Sequence, residues 1–346
     1  MRNIMMFAWT LACSDKDPES PLGADTAESA SDPYCDPHGS SLTWEDECYA
    51  FTDPTPEPMD VLRSAYTTQG DKMIYGFAGD ASGLFEYRLG EWLPLRLPDL
   101  GVPPDTVFPP QRLLPTRTAL WFQGGESAFW WDGSTLLPAS PLVGEDWLTA
   151  SSATSLVSAR FGTLLSEGTL QMDEGTGAWA PVPVTDAPSD GQVQAVALAG
   201  DVALVALRST DADRQVLLAW NGAIWKEVGV VTDPVTTALE ADWGERAFWA
   251  VSPMDGAQGS IWEADPDGRR PLEDLGYRGA AVIEVSQSAE HVTALDDSGT
   301  VWVYGSQAWN RAANTSLSAA RATWSDAGIR LHYDTGMWTF ECEYGD

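Results

Sequence analysis

From about residue 60 onward, apolar residues come in short runs that either alternate with polar residues or fill consecutive positions. Clusters of Gly, Asp, Ser and Pro separate the runs, and no window keeps the 3.6-residue period of an amphipathic helix. One complete unit is read in the middle of the chain, with strands predicted at 193–198, 202–207, 216–220 and 223–228. The pattern therefore predicts an all-β chain built from four-stranded meanders.

The same unit recurs as a turn with Gly, a strand with a large apolar residue, a second turn and often a Trp. Clear copies begin at Gly83, Gly168, Gly259 and Gly299. Seven units are read in all, spaced by about 36 to 48 residues, which brackets the length of a four-stranded propeller blade. The sequence predicts a seven-bladed β-propeller of four-stranded antiparallel blades over residues 40–346, with six blades as the alternative count.

The seventh unit ends one strand short, whereas the strand-like segment 42–51 near the N-terminus has no unit of its own. A ring of blades with open ends would expose apolar faces. We therefore predict that the last blade is completed by this N-terminal strand.

One nine-residue segment resembles an Asp-box repeat: Ala294-Leu295-Asp296-Asp297-Ser298-Gly299-Thr300-Val301-Trp302. The pair Gly124-Gly125 is similar to the double glycine of Kelch repeats. The chain thus resembles the degenerate Kelch, RCC1-like and Asp-box propeller families over about residues 60–346. This resemblance implies a propeller architecture and no particular activity.

Residues 1–12 combine Arg2, a short apolar run over 4–9, and Ala12 directly before Cys13. This segment resembles a bacterial lipoprotein signal peptide, which implies lipidation of Cys13; the alternative is an ordinary leader. Residues 13–39 are rich in Ser, Asp, Glu and Pro and predict a disordered acidic linker. We expect an exported cell-envelope protein, an outer-membrane lipoprotein or a cell-surface protein, that meets the membrane only through its lipid.

Three further cysteines, Cys35, Cys48 and Cys342, leave two disulfides open, Cys35 with Cys48 or Cys48 with Cys342. No Cys-x-x-Cys pair occurs, and the three histidines lie far apart in the chain. The sequence therefore predicts neither a metal site of Cys and His nor a cofactor.

The chain has 51 acidic and 19 basic side chains, a formal net charge of −32. Such a field repels phosphate backbones and argues against nucleic acid as a partner. It favours a soluble monomer and, alternatively, attracts cations or basic partners.

Acidic residues recur in the predicted turns between the second and third strands of each unit. We predict that they form an acidic rim on one face, able to bind Ca²⁺ or a basic partner. The alternative is that Asp is favoured in tight turns because it makes local hydrogen bonds. The rim residues are Asp80, Glu126, Asp211, Asp213, Asp255, Asp297 and Asp334.

Seventeen Trp residues are present, most of them expected to pack between blades. Trp130 and Trp131 are adjacent in one strand, so they point to opposite faces and one is expected to face solvent. An exposed Trp can stack on a sugar ring.

No Gly-x-Ser-x-Gly, P-loop or dinucleotide-binding motif occurs in the context that would give it meaning. The sequence favours a non-catalytic binding or scaffold protein of the cell envelope that presents a propeller face to a protein or polysaccharide. The alternatives are a carbohydrate-binding or carbohydrate-processing propeller, of the glycoside hydrolase or lyase kind, and a purely structural envelope protein.

Overall fold

The structure is a computed structural model in which part of the chain is described. The predictions for the leader, the linker, Cys13, Asp80, Asp211, Asp213, Asp255 and Asp334 concern residues outside this part. Among the described residues, no helix is long and apolar enough to cross a membrane. The described residues are 41–44, 47–51, 55–56, 63–69, 72–79, 83–88, 91–95, 110–116, 119–144, 146–152, 154–210, 214–232, 236–241, 246–252, 258–288, 291–305, 308–314, 321–325, 328–333 and 336–343.

Three short strands come first along the chain: β1 (Ser41–Trp44), β2 (Glu47–Phe51) and β3 (Thr55–Pro56). Six four-stranded antiparallel sheets follow, each formed by four consecutive strands. Sheet 1 contains β4 (Arg63–Gln69), β5 (Lys72–Gly79), β6 (Leu84–Arg88) and β7 (Glu91–Pro94). Sheet 2 contains β8 (Arg112–Pro115), β9 (Leu120–Gly124), β10 (Ser127–Trp131) and β11 (Leu136–Ala139). Sheet 3 contains β12 (Trp147–Ser151), β13 (Leu156–Arg160), β14 (Leu170–Asp173) and β15 (Ala180–Pro181).

Sheet 4 contains β16 (Gln192–Ala199), β17 (Val202–Arg208), β18 (Arg214–Trp220) and β19 (Trp225–Thr232). Sheet 5 contains β20 (Thr236–Ala241), β21 (Ala247–Ser252), β22 (Ser260–Ala264) and β23 (Glu273–Asp274). Sheet 6 contains β24 (Val282–Ser288), β25 (His291–Asp296), β26 (Thr300–Gly305) and β27 (Ala308–Asn314). The predicted all-β class and the predicted four-stranded meander are both confirmed.

Sheet 7 joins the two ends of the chain. Its C-terminal part is a meander of β28 (Arg321–Ser325), β29 (Gly328–Tyr333) and β30 (Gly336–Glu343). The free edge of β30 is covered twice by N-terminal residues, since Phe51 of β2 pairs with Cys342 and Pro56 of β3 pairs with Trp338. The prediction that an N-terminal strand completes the last sheet is confirmed.

The N-terminal segment differs from the single strand predicted over 42–51. Trp44 of β1 pairs with Glu47 of β2, so the two strands are antiparallel neighbours and form a hairpin. β1 is thus a fifth strand outside β2 rather than part of the closing strand.

The register of the closing strands bears on one of the two disulfides that the sequence left open, Cys48 with Cys342. Cys48 pairs with Thr43 in the hairpin, and Cys342 pairs with Phe51 across the closure. An offset of three residues corresponds to about 10 Å along a strand. This register does not make Cys48 and Cys342 cross-strand partners, so it offers no support for a bond between them.

The first strands of consecutive sheets contact one another, as β8 with β12, β12 with β16 and β16 with β20. Sheets 2 to 6 are therefore each packed between two neighbours and are covered on both faces. In sheet 4, Val205 packs with Leu170 of sheet 3, whereas the adjacent Leu204 packs with Trp249 of sheet 5. Truncating one such side chain to Ala would cost about 2–5 kcal/mol. This two-sided burial explains the consecutive apolar runs of the sequence.

Candidate functional site

Each four-stranded sheet has one end at which its first strand begins and its fourth strand finishes. In an antiparallel meander, the start of the first strand, the turn between the second and third strands and the end of the fourth strand lie together. Because first strands of neighbouring sheets are in contact, neighbouring sheets share this end. We call it the connection face. The turns between first and second strands, and between third and fourth strands, lie on the opposite face.

The turn between β13 and β14, residues 161–169, extends over the connection face to the next sheet. Leu164 forms an antiparallel bridge with Gln192 at the start of β16. On either side of the bridge, the Val193 N–H donates to the Thr163 carbonyl at 2.9 Å, and the Leu165 N–H donates to the Gly191 carbonyl at 2.9 Å. The turn is therefore fixed between sheets 3 and 4.

The base of this turn is also closed by hydrogen bonds. The Phe161 N–H donates to the Asp146 carbonyl at 2.8 Å, which joins the turn to the residues before β12. The Thr163 hydroxyl donates to the Arg160 carbonyl at 2.9 Å. The 161–169 turn is thus held where it begins as well as at the bridge.

The connection from sheet 2 to sheet 3, residues 140–146, lies beside this turn and is held by side chains. Gln123 makes two hydrogen bonds of 3.0 Å with the main chain of Leu142, one from each end of its amide. The guanidinium of Arg112 donates to the Gly144 carbonyl at 3.1 Å, and the indole of Trp147 donates to the Val143 carbonyl at 2.9 Å. This connection is fixed by three different strands.

Three apolar side chains of these two segments are exposed: Val143 by 74%, Phe161 by 51% and Leu164 by 53%. We call these three residues the apolar patch. Next to them the guanidinium of Arg160 lies 5.0 Å from the ring centre of Trp147 and donates to the Val143 carbonyl. The apolar patch therefore combines exposed apolar area with a stacked Arg–Trp pair, on a backbone that does not need to be ordered by a ligand.

Three carboxylates lie in the segments that carry the apolar patch or adjoin them. Asp146, Glu167 and Asp190 are exposed, and no ion pair involves them within the described part of the chain. Glu167 accepts a hydrogen bond from the Val184 N–H at 3.3 Å. The rim of the apolar patch is accordingly negative, while Arg112 and Arg160 are engaged with carbonyl groups.

Two predicted rim residues fall within the described residues. Glu126 lies in the turn between β9 and β10, and Asp297 lies in the turn between β25 and β26; both are exposed on the connection face. The neighbouring Asp296 is buried and accepts hydrogen bonds from the Ser298 N–H, the Thr300 N–H and the Trp302 indole. Asp296 therefore stabilises its turn, whereas Asp297 is available to solvent.

Side chains that stabilise their own turns, as Asp296 does, recur on the opposite face. In four consecutive sheets, an Asp or Asn that begins the turn between third and fourth strands accepts main-chain N–H groups. In Asp132, the N–H groups of Thr135 and Ser134 lower the pKa of the carboxyl group. The four residues are Asp132, Asp173, Asn221 and Asp265. These four side chains therefore stabilise the turns in which they lie.

The expected solvent-facing tryptophan is not found at Trp130, which is buried with an exposure of 7%. Trp130 packs with Trp121 between sheets 2 and 3, and Trp131 packs half-buried with Phe122 on the other face of sheet 2. The two rings do point to opposite faces. Trp130 is buried and Trp131 is only partly exposed because neighbouring sheets cover both faces of sheet 2.

A cleft of about 450 Å³ lies along the outer strands of sheet 5, away from the connection face. Arg270 approaches Glu263 and Asp265 to 3.7 Å and 3.6 Å. Burial acts to raise the pKa of Asp265, but N–H donors and Arg270 outweigh it and lower the pKa. In the described part of the chain, no group of three or more His, Cys, Asp or Glu residues is placed to hold a metal ion.

The fold was compared with known proteins. No protein-family model and no curated protein sequence matches the chain. Among solved structures, YCF48 bound to D1 peptide has a TM-score of 0.53 at 12% identity, covering 89% of this chain and 98% of that one. Kluyveromyces lactis Hsv2 has a TM-score of 0.52 at 11% identity, covering 82% and 98%. The chain is a β-propeller protein, and the similarity extends to the fold alone.

The residues of the apolar patch were missed by sequence reasoning. Phe161, Leu164 and Val143 stand in segments that read as turns, where an isolated apolar residue carries little periodic signal. The available signal was length: the turn at 161–169 is long for its place in the repeat and holds three large apolar residues, Phe161, Leu164 and Leu165.

Proposed function

We propose that this protein is a non-catalytic binding protein that presents its connection face to a protein partner at the cell envelope. The observation that carries the proposal is the apolar patch, whose side chains are exposed on a backbone that is already fixed. Binding to a fixed surface loses little conformational entropy, so more of the contact energy appears as affinity. Aromatic, Arg and apolar side chains in the centre of a surface are those that dominate protein interfaces.

Two further observations support a protein ligand. The structural neighbour YCF48 was solved with a D1 peptide, so a propeller of this fold is able to hold a peptide. The tryptophans that suggested sugar stacking, Trp130 and Trp131, are buried and half-buried. Carbohydrate binding or processing is the alternative function, and the experiment below includes it.

The proposal is tested by applying the labelled protein to an array of random peptides and to an array of glycans. A patch variant carries Val143→Ser, Phe161→Ser and Leu164→Ser. A matched control carries Leu137→Ser and Ile224→Ser, which remove exposed apolar side chains (48% and 62%) from an outer strand and from the opposite face. We expect peptide signals that the patch variant loses and the control keeps. Signals on glycans alone, or peptide signals that the patch variant retains, would contradict the proposal.

Export and lipidation at Cys13, with residues 13–39 as a tether, belong to the same proposal. A tether of this composition would hold the propeller away from the membrane with its connection face free to meet a partner. Expression of the full chain and of Cys13→Ser in a bacterial host, followed by detergent phase partitioning and mass spectrometry, tests this. We expect the parent in the detergent phase with a lipid mass at Cys13 and the variant in the aqueous phase. Equal partitioning of the two proteins would contradict lipid anchoring at Cys13.

A further inference from the structure

The main chain at Leu164 offers hydrogen-bonding groups on an open edge. In an antiparallel pairing, a residue whose neighbours make the cross-strand bonds turns its own N–H and C=O to the other side. The bonds here are made by the Thr163 carbonyl and by the Leu165 N–H, which donates to the Gly191 carbonyl at 2.9 Å. The main-chain N–H and C=O of Leu164 therefore point away from β16. Within the described part of the chain, neither group has a hydrogen-bond partner.

The N–H donor and the C=O acceptor of Leu164 can both pair with a single residue of another extended chain. Pairing of this kind is how peptides add a strand to an exposed sheet edge, with the main chain giving affinity and the side chains giving specificity. Polysaccharides lack the alternating N–H and C=O groups that this edge would satisfy. The edge at Leu164 therefore favours a polypeptide in extended conformation, with an apolar side chain near the pairing residue to contact the apolar patch.

The charge of the surface selects among polypeptides. Asp146, Glu167 and Asp190 are exposed on the segments that carry or adjoin the apolar patch, and the whole chain carries a net charge of −32. A second copy of this protein would bring the same charge and be repelled, as would an acidic segment. A basic segment would be steered to this face and held by carboxylates that lack an ion pair in the described structure.

We propose that the connection face binds a basic, extended polypeptide segment that pairs its main chain with Leu164 and places an apolar side chain on the apolar patch. This inference rests on the proposed function and deepens it, because it names the chemistry of the partner. It uses three independent features of the chain: the open edge, the exposed apolar area and the charge of the rim.

The test uses the full chain and four short fluorescent peptides of equal length, measured by fluorescence anisotropy. The first has Leu at its centre and Lys on both flanks. The second replaces Lys by Glu, the third replaces Leu by Ser, and the fourth carries an N-methyl group on the central backbone amide. We expect binding of the first peptide, with each of the other three weaker by at least about fivefold, the effect of one lost hydrogen bond or small apolar contact.

Protein variants place the binding on the surface. Phe161→Ser should weaken the first peptide by at least about fivefold, while the control Ile224→Ser should stay within about twofold. Raising the salt from about 50 mM to about 500 mM should weaken the first peptide, because screening shortens the range of the rim charges.

The outcomes separate this inference from the proposed function. Equal binding of the Lys and Glu peptides would overturn the inference that the partner is basic. Equal binding of the N-methylated and the unmethylated Lys peptide would overturn the main-chain pairing. In both cases, weaker binding by Phe161→Ser would leave the proposed function standing. Binding that Phe161→Ser and Ile224→Ser reduce alike would contradict both. Failure of the Lys peptide to bind would overturn the inference, and the arrays would then decide the proposed function.

Discussion

Leu164 of sheet 3 is paired with Gln192 at the start of the first strand of sheet 4. The pairing joins two consecutive sheets outside their packed core, and it holds an exposed apolar side chain in one place. A turn that served only to reverse the chain would need neither the length nor the bridge of 161–169. The hydrogen bonds between the 161–169 turn and β16 therefore join two sheets of the propeller and also fix the surface that we propose for binding.

Gly177 and Gly222 form a matched pair for testing the packing between sheets 2 and 3. Both have positive φ, 77° and 88°, in turns between third and fourth strands. A Cβ at Gly177 would lie 3.0 Å from the Trp130 Cβ and 3.3 Å from the Ala139 Cβ, whereas a Cβ at Gly222 meets open space. Gly222→Ala should lower the free energy of unfolding by about 1 kcal/mol through backbone strain. Gly177→Ala should lower it by about 1–3 kcal/mol more, through overpacking. Urea denaturation gives both values, and equal losses would mean that the Trp130 contact is absent.

Asp296 and Asp297 are neighbours with opposite expected roles. Asp296→Ala leaves the buried Thr300 N–H and the Trp302 indole without their acceptor, so the free energy of unfolding should fall by about 2–4 kcal/mol. Asp297→Ala changes an exposed side chain and should stay within about 0.5 kcal/mol. Thermal and urea unfolding measure both variants. A large loss for Asp297→Ala would give that side chain a structural part that its exposure does not suggest.

Tyr277 predicts a loss of stability in alkali. Its ring is fully buried and its hydroxyl donates to the Ala280 carbonyl at 3.2 Å. Burial raises the pKa of this hydroxyl, and the charges of Asp296 and Asp297 raise it further. Above about pH 10 the unfolded chain loses this proton while the folded chain keeps it, so stability present below pH 10 declines by up to about 1.4 kcal/mol per pH unit.

The variant Tyr277→Phe removes this contribution and leaves the other tyrosines as they are. Urea unfolding between about pH 9 and about pH 11 should show a steeper decline for the parent than for the variant. If the two curves run parallel, Tyr277 ionises alike in both states, and its hydroxyl is more accessible than the structure indicates.

Closure by the N-terminal strands is tested by truncation. A chain that lacks residues 1–39 keeps β1 to β3, one that lacks 1–51 keeps only β3, and one that lacks 1–56 leaves the edge of β30 uncovered. We expect the free energy of unfolding to fall along this series, with a loss of more than about 2 kcal/mol for the shortest chain because sheet 7 loses its outer strands. A shortest chain that unfolds at the same urea concentration as the longest would show that the ring does not depend on these strands.

The sequence predicted the sheets better than the surface, for physical reasons. The strands of sheet 4 follow from the runs around Val205 and Leu217, because two-sided burial requires apolar residues at successive positions. Closure by an N-terminal strand, predicted over 42–51, followed from counting strands in the last unit, although only 47–51 form the strand next to β30. The hairpin between Trp44 and Glu47 was not predicted. A charged pair inside an apolar segment is also compatible with one continuous edge strand.

The surface depends on contacts between segments that are distant in sequence. Nothing local in the sequence shows that Leu164 bridges to Gln192, or that Gln123 holds Leu142. The burial of Trp130 was not readable for the same reason, because the neighbouring sheet that covers it comes from another part of the chain. Turn acids such as Asp132 were readable as turn-formers from the Asp-Gly pair alone.

The most direct test of binding at the connection face is backbone hydrogen exchange of the full chain, with and without the Lys-flanked, Leu-centred peptide. We expect slower exchange in residues 161–169, including the amide of Leu164, and no change in the turn at 221–224 on the opposite face. Protection confined to other regions, such as the cleft formed by residues 263–274, would contradict the assignment of the apolar patch as the binding surface.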